Sequence, residues 1–270
     1  MKRMALWTTY YDPNDEIRNS EFIRCLTINA MNPFIKIMYV LSEVEILPIQ
    51  HVKLRCIHFP KRPSYNDFFE RYKQFEPNSI NVLLNTDIVL DYRHTTRLLN
   101  IKKNQFLALT RYEFITPSSD IRSMVDILKK PVELFGNHEL LESQFYFSQD
   151  MWVIVGYPPV SGIFVEQLGV QKCDGRVAFH FNTIGYEVYN PCLSIFTYHV
   201  HENKDRSYPL PPCKGNVIFI RPTNLGSIIE PDVSQIKVII NKDEEPDNTQ
   251  FINQQALATR RIPLIKFLRF

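Results

Sequence analysis

The sequence predicts an α/β protein built on a doubly wound, mostly parallel sheet, and three features carry that expectation. Strand-like apolar runs alternate with stretches of helical spacing through about residue 200. The run Val82-Leu83-Leu84 is apolar without alternation, the pattern of a strand covered on both faces. It ends in Asn85-Thr86-Asp87, polar donors at the carboxyl end of a strand, where open α/β sheets hold their ligands. Asn and Asp are also favoured turn residues, so this stretch by itself fits a plain turn as well.

The elements follow in order. MALWTTYY reads as a first strand, closed by the turn-forming DPND. EIRNSEFIRCLTINAMNP sets Ile17, Phe22, Ile23, Leu26 and Ile28 at roughly helical spacing and stops at Asn32-Pro33. FIKIMYVLSE and VKLRCIHFP read as the second and third strands. SYNDFFERYKQF carries Phe68, Phe69, Tyr72 and Phe75 on one helical face. The strand INVLL follows, then FLALTRYEF and MWVIVG as further strands. DGRVAFHFNTIGY is expected to be helical with Gly185 as its stop, and EVYNPCLSIFTYHVH returns to extended structure. There is no internal repeat. After YPLPPCKGN the character changes: four prolines fall between residues 209 and 222, followed by NVIFIRP, SQIKVIINKDEEPDN and the basic-apolar end IPLIKFLRF. This tail is expected to add strands or a docking segment to the main domain.

Bulk properties narrow the class. With 44% apolar and 13% aromatic residues, a chain of 270 residues can bury a core, so disorder is not the default. A net charge of +2 with dispersed charges gives no basic footprint for nucleic acid. The five cysteines are widely spaced and lack a CxxC pair. They point to inert buried thiols in a reducing compartment rather than to a disulfide framework or a zinc cluster. The opening MKRMALWTTYYDPNDE has too short an apolar stretch for a signal peptide, and no window approaches the ~20 apolar residues of a membrane span. The expectation is a soluble, cytoplasmic protein without a transmembrane segment.

Four polar clusters punctuate the pattern: Asn85-Thr86-Asp87, Asp150 in SQDMW, Asp174 in KCDGR, and His199, His201 and Arg206 in YHVHENKDRSY. Residues two apart in extended chain share a face, so His199 and His201 can both reach one site, where one would suffice. A carboxylate with an imidazole suits Mn²⁺, and a divalent metal beside a diphosphate neutralises a leaving group. Asp174, just before a helix, is a good cap and equally a general base if it faces a cleft. Asp150 competes for the base role or binds an acceptor. Arg111 and Glu113 either pair at the surface or line an acceptor site. Trp152 either packs or offers its ring to a sugar.

In their order and spacing, these clusters together with LWTTYY, CLTINAMNPFI, RPSYNDFF, LLNTDIVLD, ALTRYE, SQDMWV, CDGRVAF and GYEVYNPCLSIFTYHVHENKDRSY resemble the GT-A glycosyltransferases. The likeness is to a small type found in large DNA viruses and bacterial polysaccharide clusters, and it covers roughly residues 5 to 208. It implies a catalytic domain over residues 1–212 and an extension over residues 213–270 packed on it. It also implies a metal-dependent inverting transfer of sugar from a nucleotide-sugar, UDP-linked by preference, to a hydroxyl of a glycan or glycoprotein acceptor.

Carried over residue by residue, Asn85-Thr86-Asp87 stands where the family has its DxD motif, with Asn85 replacing the first Asp. Asp87 becomes the ligand of Mn²⁺ or Mg²⁺, and His199 or His201 the second metal or diphosphate ligand. Thr8, Thr9 and Tyr10 match the segment holding base and ribose, Arg62 and Asp67 flank the nucleotide, and Arg206 neutralises phosphate. Asp174 matches the base, with Asp150 as its competitor. One carboxylate base suffices for such a transfer, unlike retaining glycoside hydrolysis. A nucleotidyltransferase is the enzymatic rival, but TTYYDPND has no glycine for a phosphate loop. A non-catalytic carbohydrate- or protein-binding module on the same fold is the other alternative, and the substituted Asn85 is what favours it.

Overall fold

A computed structural model describes residues 3–135, 148–202, 211–220, 222–225 and 236–239. In chain order its elements begin with β1 (Met4–Tyr10), α1 (Glu16–Ala30), β2 (Ile37–Ser42), β3 (Leu54–His58) and α2 (Tyr65–Phe75). Then come β4 (Ile80–Leu84), β5 (Ile88–Leu90), α3 (Tyr92–Thr95), β6 (Gln105–Leu109), β7 (Tyr112–Phe114), α4 (Met124–Lys129) and β8 (Val132–Leu134). The remainder are β9 (Met151–Val155), α5 (Cys173–Thr183), β10 (Glu187–Tyr189), β11 (Thr197–His199), β12 (Val217–Ile220) and β13 (Ile236–Ile239).

Seven strands form the central sheet in the order β10-β6-β9-β4-β1-β2-β3. All pairings are parallel except those of β9, which runs against both β4 and β6. The fold is therefore α/β with a mostly parallel sheet and helices on both faces. Alternate residues of each strand feed opposite cores, as a two-residue period requires. Ala5, Trp7 and Tyr39 meet Phe68, Phe69 and Tyr72 of α2 and Val177 and Phe181 of α5. Leu6, Val40 and Val82 meet Phe22 and Leu26 of α1 on the other face. Trp7 stacks on Tyr39 with ring centroids 4.1 Å apart. Its Nε1–H donates to buried Asn81, whose amide in turn donates to the Glu76 and Gly156 carbonyls. Burying each such large side chain stabilises the fold by about 1.5–3 kcal/mol.

The helices start where the sequence provides caps. Asp15 accepts from the Ile17 and Arg18 N–H groups at the head of α1, and Ser64 with Asp67 forms a capping box at the head of α2. Helix α5 ends at Gly185, whose φ of 91° suits a residue without Cβ.

FLALTRYEF does not run as one strand. The chain leaves the central sheet at Thr110-Arg111, because the Thr110 N–H and hydroxyl bond to Asn190 and the Ser148 carbonyl and Arg111 turns to Asp150. Beyond the break, β7 joins a second, four-stranded sheet in the order β5-β11-β7-β8. EVYNPCLSIFTYHVH likewise divides, into β10 of the first sheet and β11 of the second.

Within the residues from 213 onward, β12 pairs with β13, and Val217, Ile218 and Ile220 are buried against α5. Gly175 permits that approach: a Cβ there would lie 2.9 Å from the Cβ of Val217. All five cysteines are free. Cys25, Cys173 and Cys192 are buried, Cys213 is half-buried, and Cys56 is exposed rather than buried because β3 is an edge strand. Among the described residues no helix is long and apolar enough to cross a membrane.

Candidate active site

Strand order reverses at β1: β2 and β3 extend the sheet to one side and β4 begins the other. Beyond the carboxyl ends of these strands lies a cleft of about 420 Å³, the place where open α/β sheets bind ligands. Thr9 and Tyr11 line it from β1, Asn85, Thr86 and Asp87 from β4, Arg18 from the first turn of α1, and Asp174 from the first turn of α5.

The pairing of β5 with β11 sets His199 opposite Ile88, and the Val200 N–H closes onto the Asp87 carbonyl at 2.9 Å. His199 Nε2 thereby comes within 3.1 Å of Asp87 Oδ2. Its Nδ1–H donates to both oxygens of Glu113 at 2.9 Å. His201 stacks on His199 with centroids 4.7 Å apart, so both histidines reach the cluster. Burial pushes the Asp87 carboxyl up, but the His199 imidazole and then Arg18 and Arg111 outweigh it and hold it well below the usual carboxylate range. Burial disfavours a charged His199, yet Asp87 more than offsets this and raises its pKa. Glu113 is pushed up by burial and drawn down further by His199 and Arg111, to about 2.

One ligand atom each from Asp87, His199 and His201 lie within 4.8 Å of one another. His201 Nε2 is buried without a hydrogen-bond partner. Glu113 stands behind His199, where it would orient the imidazole if a metal were bound. One carboxylate and two imidazoles in this arrangement could hold a divalent cation.

A second cluster sits at the start of β9. Asp150 Oδ2 accepts from Arg111 Nη1 at 2.6 Å and from the Ser148 hydroxyl, and its Oδ1 accepts from Asn85 Nδ2 at 2.7 Å. Both its oxygens are engaged. Asp174 is held through the backbone, one oxygen accepting from the Gln149 N–H at 3.1 Å, with the Gly175 N–H as a further donor. Burial, followed by the nearby Asp150 charge, pushes Asp174 up to about 7.

Of the residues singled out in the sequence, Thr9, Arg62, Asn85, Asp87, Asp150, Asp174 and His201 line the cleft, and His199 stands directly behind Asp87. Thr8 and Tyr10 do not reach it. Strand alternation turns them from Thr9, and Tyr10 is buried with its hydroxyl donating to Asn19 at 2.7 Å. Asp67 is spent as the helix cap, accepting from the backbone N–H and hydroxyl of Ser64. Arg206 lies outside the described residues. Sequence reasoning passed over Arg18, which bridges Asp87 and His201, and the orienting role of Glu113. Arg18 and Glu21 share an i, i+3 helical spacing that reads as an ordinary surface pair, and no local signal places them at the cleft.

No protein-family model matches the chain, and no curated protein sequence matches it. The solved structures similar to it include UDP-glucose pyrophosphorylase complexed with UDP-glucose, at 7% identity and a TM-score of 0.35, over 76% of this chain and 92% of that one.

Proposed function

We propose that the protein is a metal-dependent, inverting glycosyltransferase that moves a sugar from a nucleotide-sugar, UDP-linked by preference, to a hydroxyl of a glycan or glycoprotein. The observation that carries this reading is the division of labour in one cleft: a cation-binding cluster at Asp87 and a backbone-held carboxyl at Asp174. The resemblance read in the sequence assigns them the same two roles.

Asp174 is the base. Its pKa of about 7 lets it take the proton of an acceptor hydroxyl near neutral pH. Asp150 is a positioning residue, because Arg111, Ser148 and Asn85 occupy its oxygens. Asp87, His199 and His201 would hold Mn²⁺, which when bound neutralises charge on a departing diphosphate. Thr9 and Tyr11 at the end of β1 flank the nucleoside, and Arg62 lines the same cleft. Asn85 need not signal lost catalysis. Its amide donates to Asp150 at 2.7 Å, and an aspartate there would set two carboxylates against each other.

The test is thermal stabilisation by UDP, GDP and CMP, each with and without Mn²⁺. A ligand at a hundred times its dissociation constant adds about 2.7 kcal/mol to apparent stability. A rise with one nucleotide that requires Mn²⁺ and disappears in Asp87→Ala is the expected result, and no rise with any nucleotide overturns the donor site. If Asp174→Asn keeps that rise while the wild-type chain shows no transfer to any acceptor hydroxyl, the cleft belongs to a binding module instead.

A further inference from the structure

Arg18 holds the two atoms that a metal would need first. Its Nη2 donates to Asp87 Oδ2 at 2.8 Å, and its Nη1 donates to His201 Nδ1 at 2.8 Å. The same Nη1 donates to Glu21, a fully buried carboxylate fixed from its other side by the Glu202 N–H. The side chain is only 26% exposed, packs its guanidinium over Phe22 at 4.7 Å, and lines the cleft.

An arginine N–H can only donate, so Nδ1 of His201, 2.8 Å from Arg18 Nη1 and farther, 3.5 Å, from the Glu21 carboxylate, supplies its lone pair to the arginine. In the neutral ring the hydrogen then sits on Nε2, and that nitrogen has no lone pair to offer a metal. A cation binding through Nδ1 must take the lone pair that Arg18 holds. One binding through Nε2 needs the other tautomer, whose Nδ1–H would face the N–H of Arg18. By either route His201 becomes a ligand only once Arg18 lets go, and the same lone pairs on Asp87 Oδ2 are also shared with Arg18 and His199.

We propose that Arg18 is a resident cation which a divalent metal displaces from Asp87 and His201, and that the freed guanidinium then engages the diphosphate. This rests on the metal-centre reading above. A planar guanidinium meets phosphate oxygens bidentately, and Arg18 already lines the cleft with Asp87. Metal and diphosphate therefore bind synergistically, each favouring the state with Arg18 swung out. Glu21 stays beside the arginine in both states as the anion it turns about.

Mn²⁺ binding to the full chain, read from the electron paramagnetic resonance of free Mn²⁺ with and without inorganic pyrophosphate, tests the exchange. Arg18→Met keeps an unbranched apolar side chain at the position beside Phe22 and removes the guanidinium. It is expected to bind Mn²⁺ about tenfold more tightly than wild type, and to lose a comparable part of the enhancement pyrophosphate gives. Arg18→Lys keeps the charge but has no fork to occupy both ligand atoms. It too is expected to bind Mn²⁺ more tightly, and it carries the test alone if the methionine variant does not fold. If the wild type binds Mn²⁺ and neither variant binds it more tightly, the exchange is wrong and the metal centre stands. A lysine variant matching wild type while the methionine variant gains also overturns it, since charge rather than occupancy would be the cause. If none of the three binds Mn²⁺, the metal centre falls and the exchange falls with it.

Discussion

Replacing Asp174 by Asn tests the carboxyl on which the proposed chemistry turns, through stability alone. The native pKa is about 7 against an ordinary value of 3.8. Between those values the folded chain keeps a proton that the unfolded chain has lost. Stability therefore falls as pH rises through that window and levels off above the native value. At about 1.4 kcal/mol per unit the full shift is worth about 4 kcal/mol. The unfolded carboxyl is already ionised by about pH 5, so only the part of this between about pH 5 and the native value is read by the experiment, and with water at the open cleft it comes to about 1–2 kcal/mol. Urea unfolding of wild type and Asp174→Asn at about pH 5 and about pH 8 isolates the effect, because the amide does not titrate. The wild type is expected to lose that 1–2 kcal/mol relative to the variant between the two conditions. Curves that stay parallel within about 0.3 kcal/mol would refute the reasoning, since a shift of that size corresponds to a nearly ordinary aspartate. Turnover runs in the opposite sense, because the base form appears through the same window, so transfer should rise toward about pH 7 as stability falls.

Two further outcomes follow from contacts in and beside the site. Glu113→Gln leaves His199 a weaker partner at Nδ1, and Mn²⁺ affinity is expected to fall about 10–100-fold, measured by titration with the metal alone. Gly175→Ala would gain about 1 kcal/mol as a helix substitution, but its Cβ would meet Val217 at 2.9 Å. Overpacking of that kind costs about 1–3 kcal/mol, so the melting temperature should drop, and a rise would mean that β12 does not pack on α5.

Much of the central sheet could be read locally. Its longer strands are apolar runs bounded by turn residues, and α2 shows its buried stripe at helical spacing. The second sheet was not legible as a sheet. β5, β7 and β11 are three residues long, too short for a two-residue period to establish itself, and their pairing joins residues more than eighty positions apart. The same distinction runs through the site. Asp87, Asp150 and Asp174 stand beside strand or helix ends, a position a sequence announces. Arg18 reaches Asp87 across 69 positions and His201 across 183, which no periodicity encodes. At the end of β1 the segment was identifiable, whereas the face was not. A single step of register decides that Thr9 and Tyr11, not Thr8 and Tyr10, look into the cleft.

The direction of one strand ties these features together. Because β9 runs against its neighbours, its first residue, Met151, pairs with Leu84 on one side and Leu109 on the other. Asp150 therefore stands at the carboxyl ends of β4 and β6, with its carbonyl accepting from the Asn85 N–H and its own N–H donating to Leu109. A parallel β9 would have put Gly156 there and sent Asp150 to the far edge of the sheet. The residue that follows β4 must then be a donor to Asp150, which Asn85 is and an aspartate would not be. The residue that follows Thr110 must be a cation able to share a buried carboxylate, and Arg111 is. Asp150, held in place by these two, is in turn one of the causes that push Asp174 up to about 7. The poise of the proposed base thus depends on the reversed strand as much as on its own burial.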